Sequence, residues 1–326
     1  MAPTPGQLHI DRYLTNLSIE FQQTADSFVA PQVFPIVPVD KQSDRYVIFD
    51  RESFWRDNFP ERPLGGAADV DTWTLSDDTY FCVERALAHK YDDRQAANAD
   101  DPIDLARMAV QLLTSRAMVN MDRRFMSKYF TSGVWATQWA GVTSNPSAGT
   151  SFLRFTESGS DPMRVIDDAK TAIHSTTALM PNRMVVSENV HRVIRNHPAI
   201  LDRIKYTQRG TLSNDLLAAL FEVDNYIVAR SIFNDAKEGA TADLKYIAPG
   251  GQILLTYAAP APGLYQPSAG YVFAWRGLLG DQTSPMGTVV QRGRDDFAHS
   301  DHYEIRVAND MKVVSNELGA LLTAAI

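Results

Sequence analysis

Cysteine is almost missing from this chain of 326 residues: Cys82 stands alone. That excludes an internal disulfide and a cysteine-based zinc site. Long apolar runs are missing too, and none reaches the roughly eighteen residues that a membrane-spanning helix needs. The N-terminus, MAPTPGQLHIDRYL, has no basic start followed by an apolar stretch, so no secretory signal is read there. These features fit a reducing cytoplasm. Positive charge is in deficit, with 31 Lys and Arg against 39 Asp and Glu, a net charge of -8. A protein that binds nucleic acid by neutralising phosphates needs a basic face, and this composition argues against one. It leaves open a protein that lies beside nucleic acid without sticking to it.

Catalytic signatures are also absent. There is no G-x-S-x-G elbow. The pairs Gly65-Gly66 and Gly250-Gly251 lack the strand–loop–helix context and the Lys-Ser/Thr of a phosphate cradle. Glu188 and His191 share a helix face, but His197 lies nine residues from Glu188 and precedes a proline, so no third metal ligand has natural spacing. These residues read as a solvated helix face. Asp295, Asp296, His299, Asp301 and His302 form the densest ligand-type cluster. It reads as a polar loop before a strand; a soluble metal-dependent hydrolase is the alternative it would serve. Asp77-Asp78 and Asp92-Asp93 read as turns and solvated ends, and Cys82 as a small packed residue inside a strand. No catalytic, cofactor or metal residue is assigned.

What is present is order and texture. The apolar share of 44% can bury a sizeable core, and the length suggests about two domains. Pro31, Pro35 and Pro38 predict an extended path over Phe28–Asp40. RYVIFDRESFWRDN and VDTWTLSDDTYFCVERALAHKY, separated by PERPLGGAAD, predict a long two-stranded ribbon with a flexible tip. A ribbon this long is marginal alone in water and needs something to lie on. Asp100 or Asp101 as N-cap and Pro102 at the first position open a helix predicted over Pro102–Phe130. Its Met108, Met118, Met121 and Met126 read as core filler. Asp161–Ala259 then reads as an α/β unit: a helix opening at Pro162, a buried strand MPNRMVVS, a helix broken near Pro198, a helix opening at Ser213 or Asn214, and two strands. The closing segments read as strands that pack on the long helix and end in an apolar tail.

This order of parts resembles the major capsid protein of tailed bacteriophages, with the Hong Kong 97-type fold. FVAPQVFPIVPVDKQSDRYVIFDRESFWRDN is similar to the outgoing side of that family's extended loop, LSDDTYFCVERALAHKY to its return, and MPNRMVVSENVHRVIRNHPAILDRIKY to its axial-domain passage. The resemblance covers most of the chain. It implies an α+β fold divided into an N-terminal arm (1–44), an extended β-ribbon loop (45–91), a peripheral domain with a spine helix (92–158), an axial domain (159–285) and returning peripheral strands (286–326).

The resemblance further implies a structural protein, not an enzyme, that self-assembles into hexamers and pentamers of an icosahedral shell around phage double-stranded DNA. It would assemble in the host cytoplasm and reside in the virion capsid. Partners are other copies of the chain, a separate scaffolding protein and a portal; a decoration protein is left open, DNA contact is weak and non-specific, and no membrane is involved. An encapsulin-like compartment shell is the alternative. Phe54, Trp55, Phe59 and Trp73 are large groups in a segment too thin to bury them, and are the expected anchors at subunit contacts, with a local aromatic cluster within the ribbon as the alternative. Arg56 and Arg62, among charges of alternating sign, are expected either to set register there by ion pairs or to form a solvated face. Some family members crosslink through a ribbon lysine. None occurs here between Lys41 and Lys90, so no such bond is expected. Some members carry a long cleaved scaffolding segment; with an arm of about forty residues here, a separate scaffolding protein or none is expected.

Overall fold

The computed structural model describes residues 23–49, 55–57, 59, 61–62, 64–67, 70, 75–99, 104–204, 212–261, 263, 266–277 and 288–326. The chain enters through one helical turn, α1 (Ala30–Val33), and then strand β1 (Ile36–Val39). Uninterrupted extension over Phe28–Asp40 is therefore corrected. Proline's fixed φ also suits the first turn of a helix, where Pro31 stands. The turn survives because the Asp122 carboxylate accepts the N–H groups of Val29 (3.0 Å) and Ala30 (2.8 Å), which would otherwise be left open at a helix start.

Strands β2 (Ser43–Phe49) and β3 (Leu75–Phe81) pair antiparallel from Ser43↔Phe81 out to Phe49↔Leu75. This is the expected ribbon, but it is shorter on its return side than 45–91. The chain breaks at Cys82, and β4 (Val83–Asp92) leaves the ribbon to pair with a strand more than 200 residues away. A short helix, α2 (Asp93–Ala97), follows. Its start is a capping box, with Asp92 accepting from Arg94 N–H and Gln95 accepting from Asp92 N–H.

The long helix is α3 (Leu105–Tyr129), about 37 Å in length at 1.5 Å per residue. Asp104 caps it, accepting from Arg107 N–H at 3.1 Å. Asp100, Asp101 and Pro102, the expected start, lie outside the described residues. Ala109, Leu113, Met121, Phe125, Met126 and Tyr129 are buried, whereas Met108 and Leu112 are exposed. Met108 is thus not core filler.

The order continues with β5 (Thr137–Val142), β6 (Ser151–Leu153), α4 (Pro162–Thr177), β7 (Arg183–Ser187), α5 (Glu188–Arg195), α6 (Pro198–Ile204), α7 (Asn214–Leu220) and β8 (Asn225–Ala229). Then come β9 (Ile232–Asn234), β10 (Leu244–Tyr246), β11 (Ile253–Thr256), β12 (Gly270–Trp275), β13 (Thr288–Asp295), β14 (Ser300–Val313) and β15 (Gly319–Thr323). Asp161 caps α4 through Met163 N–H and Arg164 N–H, and Ser213 caps α7 through Leu216 N–H.

Six strands form one sheet in the order β6-β5-β15-β11-β7-β8. Its central strands β7, β11 and β15 read as near-continuous apolar runs because both their faces are covered. Alternation survives as a choice between two cores. Met184, Val186, Leu255 and Leu322 join the helices α4, α5 and α7 on one face; Val185, Leu254 and Leu321 join Phe34, Phe125, Tyr129 and Trp135 on the other. The apolar tail expected among the returning peripheral strands is instead β15, set in the middle of this sheet between β5 and β11.

The second sheet is built on β14. Strands β13 and β12 pair along one of its edges and β4 along the other, while β1 pairs in parallel with β12. The long helix lies on this sheet, where Ala109 and Leu113 pack with Tyr91, Tyr303 and Ile305. Among the described residues no helix is long and apolar enough to cross a membrane.

Candidate subunit-interface site

The ribbon is anchored at its base and bare beyond it. Tyr80 stacks on Phe273 of β12 with ring centroids 4.6 Å apart, and Tyr46 packs on the same ring at 5.3 Å. The Tyr46 hydroxyl donates to Asp78 at 2.7 Å across the ribbon. Burial and that neighbouring carboxylate hold the phenol well above its ordinary range. Phe81 N–H donates to Asp310 of β14 at 3.1 Å, and Cys82 N–H to the Gln42 carbonyl at 2.8 Å. Cys82 is fully buried at this joint, as a packed thiol; burial pushes its pKa up to about 11. Beyond the joint the pairing strands face solvent, and Arg45 meets Asp77 at 3.1 Å on an exposed face. Such a pair contributes little.

Of the expected anchors, Trp55 is 56% exposed and Phe59 98% exposed; Leu64 and Val70 beside them are bare as well. Arg56 and Arg62 are exposed. Phe54 and Trp73 lie outside the described residues. Large exposed apolar patches are the kind of surface that interaction sites use. Each side chain that becomes fully covered contributes about 1.5–3 kcal/mol. By contrast Tyr80, Cys82 and Tyr91 are buried within their own chain, so the stretch 45–91 is not uniformly without an interior.

His191 and His197 are neither solvated nor gathered. His191 is buried and meets the Tyr226 hydroxyl through Nδ1 at 3.0 Å; His197 is buried and meets Ser160 Oγ through Nε2 at 3.0 Å. Burial lowers the pKa of each. Glu188 turns instead to Arg230, at 2.8 Å. The solvated-face reading is therefore corrected: His191 on α5 and His197 in the break before α6 both turn inward, where each meets a hydroxyl.

Asp295–His302 spans the end of β13, the turn and the start of β14, and its carboxylates are spent on ion pairs. Arg294 reaches Asp93 at 2.6 Å and Asp301 at 3.4 Å, Arg292 reaches Asp301 at 3.0 Å, and Lys90 reaches Asp295 at 3.1 Å. This network ties α2 and β4 to the β13–β14 turn. Among the described residues no group of three ligand-type side chains converges to hold a metal ion.

Two features escaped the sequence reading. One is Asp122, a fully buried carboxylate on the long helix that receives Val29, Ala30 and the Ser231 hydroxyl (2.6 Å). The other is a cavity of about 440 Å³ between the long helix and strands β4 and β14, lined largely by cations.

No protein-family model matches the chain. It is 30% identical over 274 residues to the major capsid protein of Burkholderia phage BcepMu, covering 82% of this chain and 84% of that one. A phage-related protein from Bordetella bronchiseptica RB50 superposes with a TM-score of 0.68 at 23% identity, over 93% of this chain and 94% of that one. The capsid of cyanophage P-SCSP1u follows with a TM-score of 0.61 at 8% identity, over 97% and 93%. The SrpI encapsulin of Synechococcus elongatus PCC 7942 gives 0.57 at 11%, over 96% and 93%. At these identities the structural likenesses establish the fold, which is of the Hong Kong 97 type.

Proposed function

This chain belongs to the bacteriophage major capsid proteins, and we propose that it builds its shell by laying the ribbon of each copy on a neighbouring copy. The observation that carries this reading is the contrast along the ribbon. Its base is locked to β12 and β14, whereas Trp55 and Phe59 stand in solvent. Contacts of this kind are heterologous, one surface meeting a different surface, and they build rings when the rotation between copies closes. Hexamers and pentamers of an icosahedral shell, enclosing double-stranded DNA, are the closed forms this reading predicts. The role is structural and involves no catalysis. Assembly takes place in the host cytoplasm, with a separate scaffolding protein and a portal, and a decoration protein as a further candidate. The net charge of -8 suits a wall against which packaged DNA slides without being held.

The encapsulin likeness concerns fold alone, so shell contents separate the two biologies: packaged nucleic acid supports the phage shell, an enclosed protein cargo the compartment. Electron microscopy of the purified protein tests assembly directly. Trp55→Ala with Phe59→Ala is expected to abolish shells while the unassembled subunit melts normally. Shells formed at wild-type yield by that variant contradict the anchor assignment.

A further inference from the structure

The cation-lined cavity is used by nothing described so far. Arg123, Arg124 and Lys128 reach it from the long helix, Arg85 from β4, and Asp310 from β14. That one carboxylate is already engaged, accepting Phe81 N–H at 3.1 Å and lying 3.7 Å from Lys128. Arg124 Nε donates to Asn120 Oδ1 at 3.1 Å, but its Nη2 is buried with no hydrogen-bond partner. Burial and the like charge of Arg85 pull the Arg124 pKa down to about 10. Arg123 rests on the Phe233 ring, 4.4 Å from its centroid, and Arg85 donates to the Val83 carbonyl. A buried donor without an acceptor is costly, and the guanidinium fork matches a carboxylate or phosphate in two-point contact. Among the described residues no acceptor meets Arg124 Nη2, and the four cations suit an anionic group.

We propose that the cavity receives a carboxylate from the ribbon of a second copy, Asp57 or Glu61, and so sets where that ribbon docks. This rests on the assembly reading above. The segment 50–73 carries Asp50, Glu52, Asp57, Glu61, Asp69 and Asp71 against only Arg51, Arg56 and Arg62. Asp57 and Glu61 are exposed and flank Phe59, the barest of the anchors. The ribbon of the same copy starts at the cavity rim, where Phe81 meets Asp310, and its paired strands lead about 20 Å away at 3.4 Å per residue. Among the described residues none of that ribbon's lines the cavity. A row of duplex phosphates suits an open basic face, not a concave site holding a part-buried guanidinium on a chain of net charge -8.

The test is a charge swap in the full-length protein. Four forms are compared: wild type, Arg85→Glu with Arg124→Glu, Asp57→Lys with Glu61→Lys, and all four changes together. Shell yield is read by sedimentation and electron microscopy, folding by melting of the unassembled subunit, and DNA content by nuclease protection. Each double reversal is expected to weaken subunit association at least about tenfold, about 1.4 kcal/mol, and the fourfold combination to restore it. If Arg124→Glu fails to fold, Arg124→Gln takes its place with the same expected loss, and the exposed Asp57 and Glu61 still report. Wild-type yield from either double reversal overturns the proposal. So does failure of the swap to restore assembly while every subunit melts normally. Normal shells that lose DNA in the cavity variant assign the cavity to phosphate and overturn it equally. Absence of shells from the wild-type protein would instead contradict the assembly reading itself.

Discussion

Removing the Asp122 carboxylate should detach the N-terminal arm from the long helix. Asp122 is 0% exposed. It accepts Val29 N–H at 3.0 Å, Ala30 N–H at 2.8 Å and the Ser231 hydroxyl at 2.6 Å. In Asp122→Ala the hydroxyl can turn elsewhere, but two backbone donors stay buried without acceptors. At about 1–3 kcal/mol each they cost about 2–6 kcal/mol. Removing a buried charge returns part of that, leaving an expected loss of about 2–4 kcal/mol. Asp122→Asn keeps one acceptor and should cost less, about 1–2 kcal/mol.

The pH dependence carries a further signature. Burial raises the Asp122 pKa above its ordinary 3.8, against the pull of its three hydrogen bonds. With the folded pKa above the unfolded one, the stability that this group contributes is fully present below the unfolded value. It is lost as pH rises through the folded value. The wild-type advantage over Asp122→Asn should therefore widen as pH is lowered from neutral towards the unfolded value. Urea unfolding of the unassembled subunit measures both effects, with hydrogen exchange at Val29 and Ala30 reporting release of the arm. A loss below about 0.5 kcal/mol for Asp122→Ala, the range of ordinary surface changes, refutes the clamp. A gap that narrows in acid refutes the burial argument.

Two other outcomes follow from packing and titration. A Cβ at Gly319 would overlap the Trp135 ring, which is buried and pinned by its Nε1–H bond to the Tyr129 carbonyl at 2.8 Å; Gly319→Ala should cost about 1–3 kcal/mol by overpacking, and an unchanged denaturant midpoint would show that the ring yields. Burial lowers the pKa of His191 and His197 below the ordinary 6.5, so the stability they contribute is present above 6.5 and lost as pH falls through their folded values. His191→Gln with His197→Gln should flatten that acid loss in unfolding titrations, and an unchanged pH profile would contradict it.

Local chemistry made much of this fold legible in the sequence. Asp161 and Ser213 announce their helices by capping, Pro198 breaks α5 from α6, and the texture of 43–81 announces a ribbon. What stayed hidden depends on partners far along the chain. Nothing near Cys82 shows that β4 will pair with β14 instead of continuing the ribbon. Nothing in GALLT says whether an apolar strand enters one sheet or the other; β15 enters between β5 and β11 because both its faces are apolar. Asp122 looks like any polar residue on a long helix, since its acceptors serve a segment more than 90 residues away. The exposure of Trp55 and Phe59 was legible as aromatics in a segment too thin to bury them. The cavity was not, because its cations come from β4 and the long helix and meet only in three dimensions.

Density for an assembled shell at side-chain resolution bears most directly on the claim that the ribbon is completed by another copy of the chain. Trp55 and Phe59 are predicted to lose their exposure against a neighbouring subunit, while Tyr46 and Tyr80 keep their own-chain contact with Phe273. A shell in which those two side chains remain in solvent, touched by no neighbour, would contradict the account.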